Sequence, residues 1–178
     1  MRDHKNPQLI VDAMLKKMGK FLRIMGIDTI IATNIDSDEA IIQQALKENR
    51  ILITMDKLMF QRITKLSNKA TLIDTSNLEA QIVQFFKKNR LQLTIEDISD
   101  PVSFNSRCST CNSPIKPIPK VKIVNRIPKE TYATFNQFWI CINELCEKIY
   151  WRGSHWKNIE GTINRIKLKL SNDFPNEK

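Results

Sequence analysis

Four short apolar runs, each bounded by polar residues, punctuate the first half of the chain: Gln8-Leu9-Ile10-Val11-Asp12, Thr29-Ile30-Ile31-Ala32, Arg50-Ile51-Leu52-Ile53-Thr54 and Ala70-Thr71-Leu72-Ile73-Asp74. Runs this short, rich in β-branched residues and without polar alternation, predict strands buried on both faces of a parallel sheet. Between them the apolar spacing lengthens. Met14, Leu15, Met18, Phe21, Leu22 and Met25 recur at helical intervals and Gly26 supplies a stop; Ala40 to Lys47, Leu58 to Leu66 and Leu78 to Lys88 follow the same rule. The resulting βαβαβαβα order predicts an α/β fold, a parallel sheet flanked by helices.

Beyond residue 90 the pattern changes. Residues 91–103 have the character of a connector. From Phe104 to Trp156 short strand-like runs alternate with prolines at 114, 117, 119 and 128, and a helical stripe of Ile159, Ile163, Ile166 and Leu170 follows within 157–170. Residues 171–178 are expected to fray. The chain therefore divides into a sheet domain, 1–103, and a small module with a basic C-terminal helix, 104–178. All four cysteines fall in that module, as Cys108-Ser109-Thr110-Cys111 and Cys141-Ile142-Asn143-Glu144-Leu145-Cys146. Two cysteine pairs, each in a tight turn, match structural zinc, because a tetrahedral ion takes two thiolates from each of two knuckles. Disulfides and unlinked core thiols are the competing readings. The polar start Met1-Arg2-Asp3-His4-Lys5 carries no secretory pattern, so a cytoplasmic, reduced chain is expected. The second knuckle is longer than the commonest spacing, and His155 is a minor alternative ligand.

No apolar stretch reaches the length that a membrane helix needs. The formal charge of +9 is uneven: residues 1–103 hold 15 Lys/Arg against 13 Asp/Glu, and residues 104–178 hold 13 against 6. Such a surplus favours polyanions, the plain alternative being a basic surface that only aids solubility.

Acidic residues collect where parallel strands end, the edge at which such sheets bind ligands. Asp12 and Asp74 close the first and fourth strands, Asp56 follows the third, and Asp38 opens the second helix. Like charges crowd together only when protons or cations neutralise them, so the set invites Mg²⁺ or Mn²⁺. Each of Asp38, Asp56 and Asp74 has a second reading as a helix cap or a charge complementing a helix start; Asp12, directly after Leu-Ile-Val, is harder to explain that way. Lys16, Lys20 and Arg23 form a stripe at i, i+4 and i+7 beginning beside Asp12, either solvated or placed for phosphate contact.

Several groups of neighbours carry a resemblance: Val11-Asp12-Ala13-Met14-Leu15, Phe21-Leu22-Arg23-Ile24-Met25-Gly26-Ile27-Asp28-Thr29, Asp38-Glu39, Arg50-Ile51-Leu52-Ile53-Thr54-Met55-Asp56, Arg107-Cys108-Ser109-Thr110-Cys111-Asn112 and Tyr150-Trp151-Arg152-Gly153-Ser154-His155-Trp156. With these, the chain resembles the PIN-like ribonuclease family that ends in a zinc ribbon, the Mut-seven C-terminal RNase domain. The resemblance implies a PIN-like fold, a structural zinc on Cys108, Cys111, Cys141 and Cys146, and an acidic Mg²⁺ or Mn²⁺ centre hydrolysing RNA phosphodiesters. Carried over by position, Asp12, Asp38 and Asp56 are the acidic residues, with Asp74 a further metal candidate. Arg23 matches a basic residue of the family's first helix. Met55 stands where the family usually has arginine, removing a cation beside the acids. Charge and motif together nominate Lys16, Lys20, Arg23, Lys116, Lys120, Lys122, Arg126, Arg152 and His155 for RNA binding, and the aromatics of the ribbon suit unpaired bases, if they are not simply its core. The rivals are an RNA binder that does not cut and a receiver-type phosphoacceptor. The second expects adjacent acids after the first strand, where this chain has Ala13-Met14.

Overall fold

The computed structural model describes residues 7–33, 36–93, 95 and 98–171. Leu9–Val11 (β1), Thr29–Ile31 (β2), Ile51–Thr54 (β3) and Ala70–Leu72 (β4) pair in parallel, in the order β2-β1-β3-β4. Each predicted run supplies one strand. Lys16–Ile24 (α1), Asp38–Lys47 (α2), Lys57–Thr64 (α3) and Leu78–Lys88 (α4) are the intervening and following helices. Because side chains alternate across a strand, Leu9, Val11 and Ile53 join one buried cluster with α1 and α4, while Ile10 and Leu52 join another with α2 and α3. The sheet is thus covered on both sides. α1 lies close enough that a Cβ on Gly19 would meet Val11 Cγ2 at 2.6 Å.

The chain leaves β1 toward β2 on one side, and from β3 it proceeds to β4 on the other. The carboxyl ends of β1 and β3 therefore flank the point where the winding direction reverses, the usual crevice of an open parallel sheet.

Ile115–Pro117 (β5), Phe138–Cys141 (β6) and Ile149–Trp151 (β7) form a separate antiparallel sheet. The 3-10 turn Lys120–Ile123 and the helix Lys129–Thr134 (α5) fill the β5–β6 connection. α5 buries none of its six residues, so it left no apolar periodicity to read.

The last helix, Ser154–Ser171 (α6), begins at 154 instead of 157. It packs on α4, and Trp156, Ile159, Ile163, Ile166 and Leu170 enter the same cluster as Leu9, Val11, Ile53 and Phe85. The ribbon is in effect inserted between the first sheet and the helix that completes its core. Ser171 is helical, and the rest of the stretch expected to fray lies outside the described residues. Among the described residues no helix is long and apolar enough to cross a membrane.

Candidate functional site

The carboxylates at the switch point are organised by one threonine. Asp12 is only 8 % exposed. Its amide donates to Ile53 O (3.0 Å), its Oδ1 accepts from the Met14 amide (3.4 Å), and its Oδ2 accepts from Thr54 Oγ1 (3.0 Å). The same Thr54 oxygen accepts from the Asp56 amide at 2.9 Å. Asp56 caps α3, its Oδ1 accepting from Leu58 N (2.6 Å) and Met59 N (2.9 Å). The cap reading of Asp56 is therefore correct, yet it uses one oxygen. Among the described residues no donor bonds Oδ2.

Asp38 is the first residue of α2, which Ser37 caps through the Ala40 amide. Arg62 on α3 bridges Asp38 (3.2 Å) and Glu39 (2.8 Å), and bonds from Gln43 and Arg62 hold the Glu39 carboxyl below its ordinary range. Among the described residues, acidic oxygens do not gather in threes within 4.8 Å. The structure thus couples Asp12 to Asp56 and ties Asp38 to Arg62 without bringing all three into one such cluster. Asp74 is exposed, exchanges two hydrogen bonds with Gln84 (2.6 and 3.2 Å) and lies 3.8 Å from Lys88.

Lys16 and Lys20 are exposed one turn apart on α1, as the stripe requires. Arg23 is not beside them in solvent. It is buried, donating through Nε to Thr29 O (2.7 Å) and through Nη1 to Ser109 O (3.1 Å) and Thr110 O (3.0 Å). Burial pulls its pKa down against the thiolates of Cys108 and Cys111. In the ribbon, Lys116 and Lys122 are exposed, and Lys120 bonds Asn136 and lies 4.7 Å over the Tyr132 ring. Arg126 pairs with Glu147 (3.1 Å), Arg152 pairs with Glu160 (2.7 Å), and His155 is exposed.

The four cysteine sulfurs lie within 4.8 Å of one another, with Cys108–Cys146 at 3.7 Å and Cys111–Cys141 at 3.3 Å. None is in a disulfide. Sulfurs about 2.3 Å from a tetrahedral ion are about 3.8 Å apart, so the set fits zinc without His155. The long second knuckle closes through Asn143, whose Oδ1 accepts from Leu145 N and whose carbonyl accepts from the amides of Cys146 and Glu147. Burial pushes the Cys141 and Cys146 thiols up, while at Cys111 bonds with Ser113, Cys141 and Cys108 together outweigh burial and bring it to about 6. Tyr150 donates to Cys108 Sγ at 3.0 Å. Arg23 and Tyr150 thus orient the knuckles around the thiolates, as outer partners of metal sites do.

Residues whose side-chain role the sequence left unassigned join the two modules. Asn112 accepts from Thr29 N (3.1 Å) and donates to Asp28 (2.8 Å); Asp28 accepts from Arg50 (2.9 Å), and Arg107 lies 3.9 Å from it. Gly26, at φ 85°, lets Phe104 O approach where a Cβ would stand 2.2 Å away. Asp28, Thr29 and Arg50 immediately precede or open their strands, so the ribbon docks at the amino edge, opposite Asp12 and Asp56.

No curated protein matches the chain. Residues 7–163 match the family model described as the Mut7-C RNAse domain, spanning the parallel sheet, the cysteine site and most of α6. The chain belongs to the Mut7-C RNAse domain family.

Proposed function

We propose that this protein is a divalent-metal-dependent ribonuclease whose hydrolytic centre is built on Asp12 and Asp56, with Asp38 contributing from the start of α2, where Arg62 holds it and it is not gathered with the other two, and the basic ribbon aiding RNA binding. The observation that carries the reading is the Asp12–Thr54–Asp56 chain of hydrogen bonds at the switch point of the sheet. A buried carboxylate held by one hydroxyl and one backbone amide, beside a second with a free oxygen, suits Mg²⁺ or Mn²⁺, ions that take few protein carboxylates and keep several waters. Such an ion, when bound, supplies activation of water and neutralisation of phosphoryl charge.

The chain's own residues do the positioning. Thr54 fixes the orientation of Asp12, and the α3 amides fix one oxygen of Asp56 and leave the other available. Arg62 restrains Asp38 and Glu39 at the start of α2. Lys16 and Lys20, a turn or two beyond Asp12, are suited to steadying the phosphates that flank the scissile bond. The ribbon's exposed Lys116 and Lys122 extend that attraction over the larger surface.

The test is cleavage of a labelled single-stranded RNA by zinc-loaded protein purified away from host nucleases. Cleavage that needs added Mn²⁺ or Mg²⁺ and stops when the ion is withdrawn is expected. RNA that binds and stays intact in both metals would leave a binding protein instead.

A further inference from the structure

Where the ribbon, α1 and α6 meet there is a cavity of about 330 Å³ whose wall includes Ile24, Trp139, Tyr150, Trp151 and Trp156. Small-molecule sites have volumes of about 300–1,000 Å³ and mostly apolar walls with a few polar groups. Here Trp139 and Trp156 are buried backing, while Tyr150 and Trp151 are half-buried and keep part of their surface free. Lys148, Arg107 and His155 lie on the same wall. Lys148 Nζ sits 5.6 Å over the Tyr150 ring, and His155 is exposed. Aromatic surface next to cations recognises a flat ring attached to an anion, which is the chemistry of a nucleotide.

The position of the cavity is as informative as its lining. Lys16, Lys20 and Ile24 fall at i, i+4 and i+8, one stripe of α1. Lys16 stands one turn beyond Asp12, and Ile24 lines the cavity, about 12 Å farther along the helix at 1.5 Å per residue. An exposed lysine track therefore leads from the candidate hydrolytic centre to the aromatic cavity.

We infer that the cavity takes one unpaired base of the RNA strand while the phosphates between it and the scissile bond follow Lys20 and Lys16. This rests on the ribonuclease reading for the direction of the strand, and it adds a specificity determinant to it. A base within a duplex cannot enter without leaving its stack, so the anchor selects single strands. It also makes the ribbon part of substrate selection, although its docking edge is opposite the acids.

The experiment uses a short oligouridylate carrying one 4-thiouridine, bound to full-length zinc-loaded protein without added Mg²⁺ or Mn²⁺, irradiated and mapped by mass spectrometry. Adducts on Tyr150, Trp151 or His155 are expected. In parallel, Trp151→Leu should weaken the Kd for the base-bearing strand about tenfold, within the range of one stacked base, and leave an abasic strand of equal length unaffected; His155→Ala should weaken it about threefold. Should Trp151→Leu lose zinc, His155→Ala and the adduct map carry the test. Adducts confined to α1 and the carboxyl edge, or equal losses for abasic and base-bearing strands, would overturn the inference. An active nuclease without cavity adducts removes the anchor alone, and cavity adducts on a protein that never cleaves remove the nuclease reading alone.

Discussion

Arg23 illustrates how a charge acquires meaning only from what covers it. Its place at i+7 from Lys16 suggests a phosphate contact, but its flanks Phe21, Leu22, Ile24 and Met25 are apolar, and an arginine in such company can lay its stem on apolar surface and bury its head only where acceptors meet it. That was the available signal. What the pattern alone could not supply is the partner, since Ser109 and Thr110 lie more than 80 residues away. The roles of Asp28 and Asn112 were hidden for the same reason, each being bound to a residue of the other module. Burial alone would raise the Asp28 carboxyl; bonds from Arg50, Asn112 and Gln8 outweigh this and hold it below the ordinary carboxylate range. A depressed folded-state value stabilises above the unfolded pKa of about 4 and loses that stability as pH falls through the folded value. Asp28→Ala leaves Arg50 with Glu48 as its remaining carboxylate, removes the acceptor of Asn112 and Gln8, and is expected to cost about 2 kcal/mol near pH 7. Urea unfolding of both proteins across pH checks it, and the gap should narrow below about pH 4.

At the scale of elements, the four strands and four helices of the sheet domain were legible because each buries a face, and burial writes a period into the chain. The acids at the strand ends were legible too, since Asp12 directly follows an apolar run. The coupling of Asp12 to Asp56 was not, because it depends on the order β2-β1-β3-β4 placing β1 beside β3. α6 shows the converse: its apolar stripe was plain, but a stripe does not name the surface it meets, and it meets α4. Five side chains of α6 are buried, each contributing on the order of 1.5–3 kcal/mol. A ribbon inserted between α4 and α6 must therefore stay folded for the helix to be delivered. Its own core beside the cysteines is small, with Ile115, Trp139 and Tyr150 the main apolar members, so the metal is expected to be essential to it. Elemental analysis should find one zinc per chain. Stripping it should abolish the fixed environment of Trp139 and Trp151 in near-ultraviolet circular dichroism while much of the far-ultraviolet helix signal remains. Zinc-free protein with an unchanged near-ultraviolet spectrum would contradict the assignment.

Over the whole molecule, the positive surplus lies in the cysteine half and the hydrolytic acids lie in the nearly balanced half. On the proposed function, long-range attraction and chemistry are thereby separated, one surface gathering RNA and another positioning it. Neutralising Lys116, Lys120, Lys122 and Arg126 together should weaken RNA binding and flatten its dependence on salt by about 0.7 in logarithmic slope for each phosphate released. A slope that is unchanged there and collapses with Lys16 and Lys20 would make the ribbon a structural part only.

The most direct measurement is the single-turnover rate of RNA cleavage in Mn²⁺ by wild type, Asp12→Asn, Asp56→Asn and Asp74→Asn. The first two substitutions keep the shape of the site and remove a negative oxygen, and each should slow cleavage on the order of a hundredfold or more with RNA affinity retained. Asp74→Asn, at a carboxylate engaged by Gln84 and Lys88, should change the rate little. Equal rates in Asp12→Asn and wild type would contradict the account.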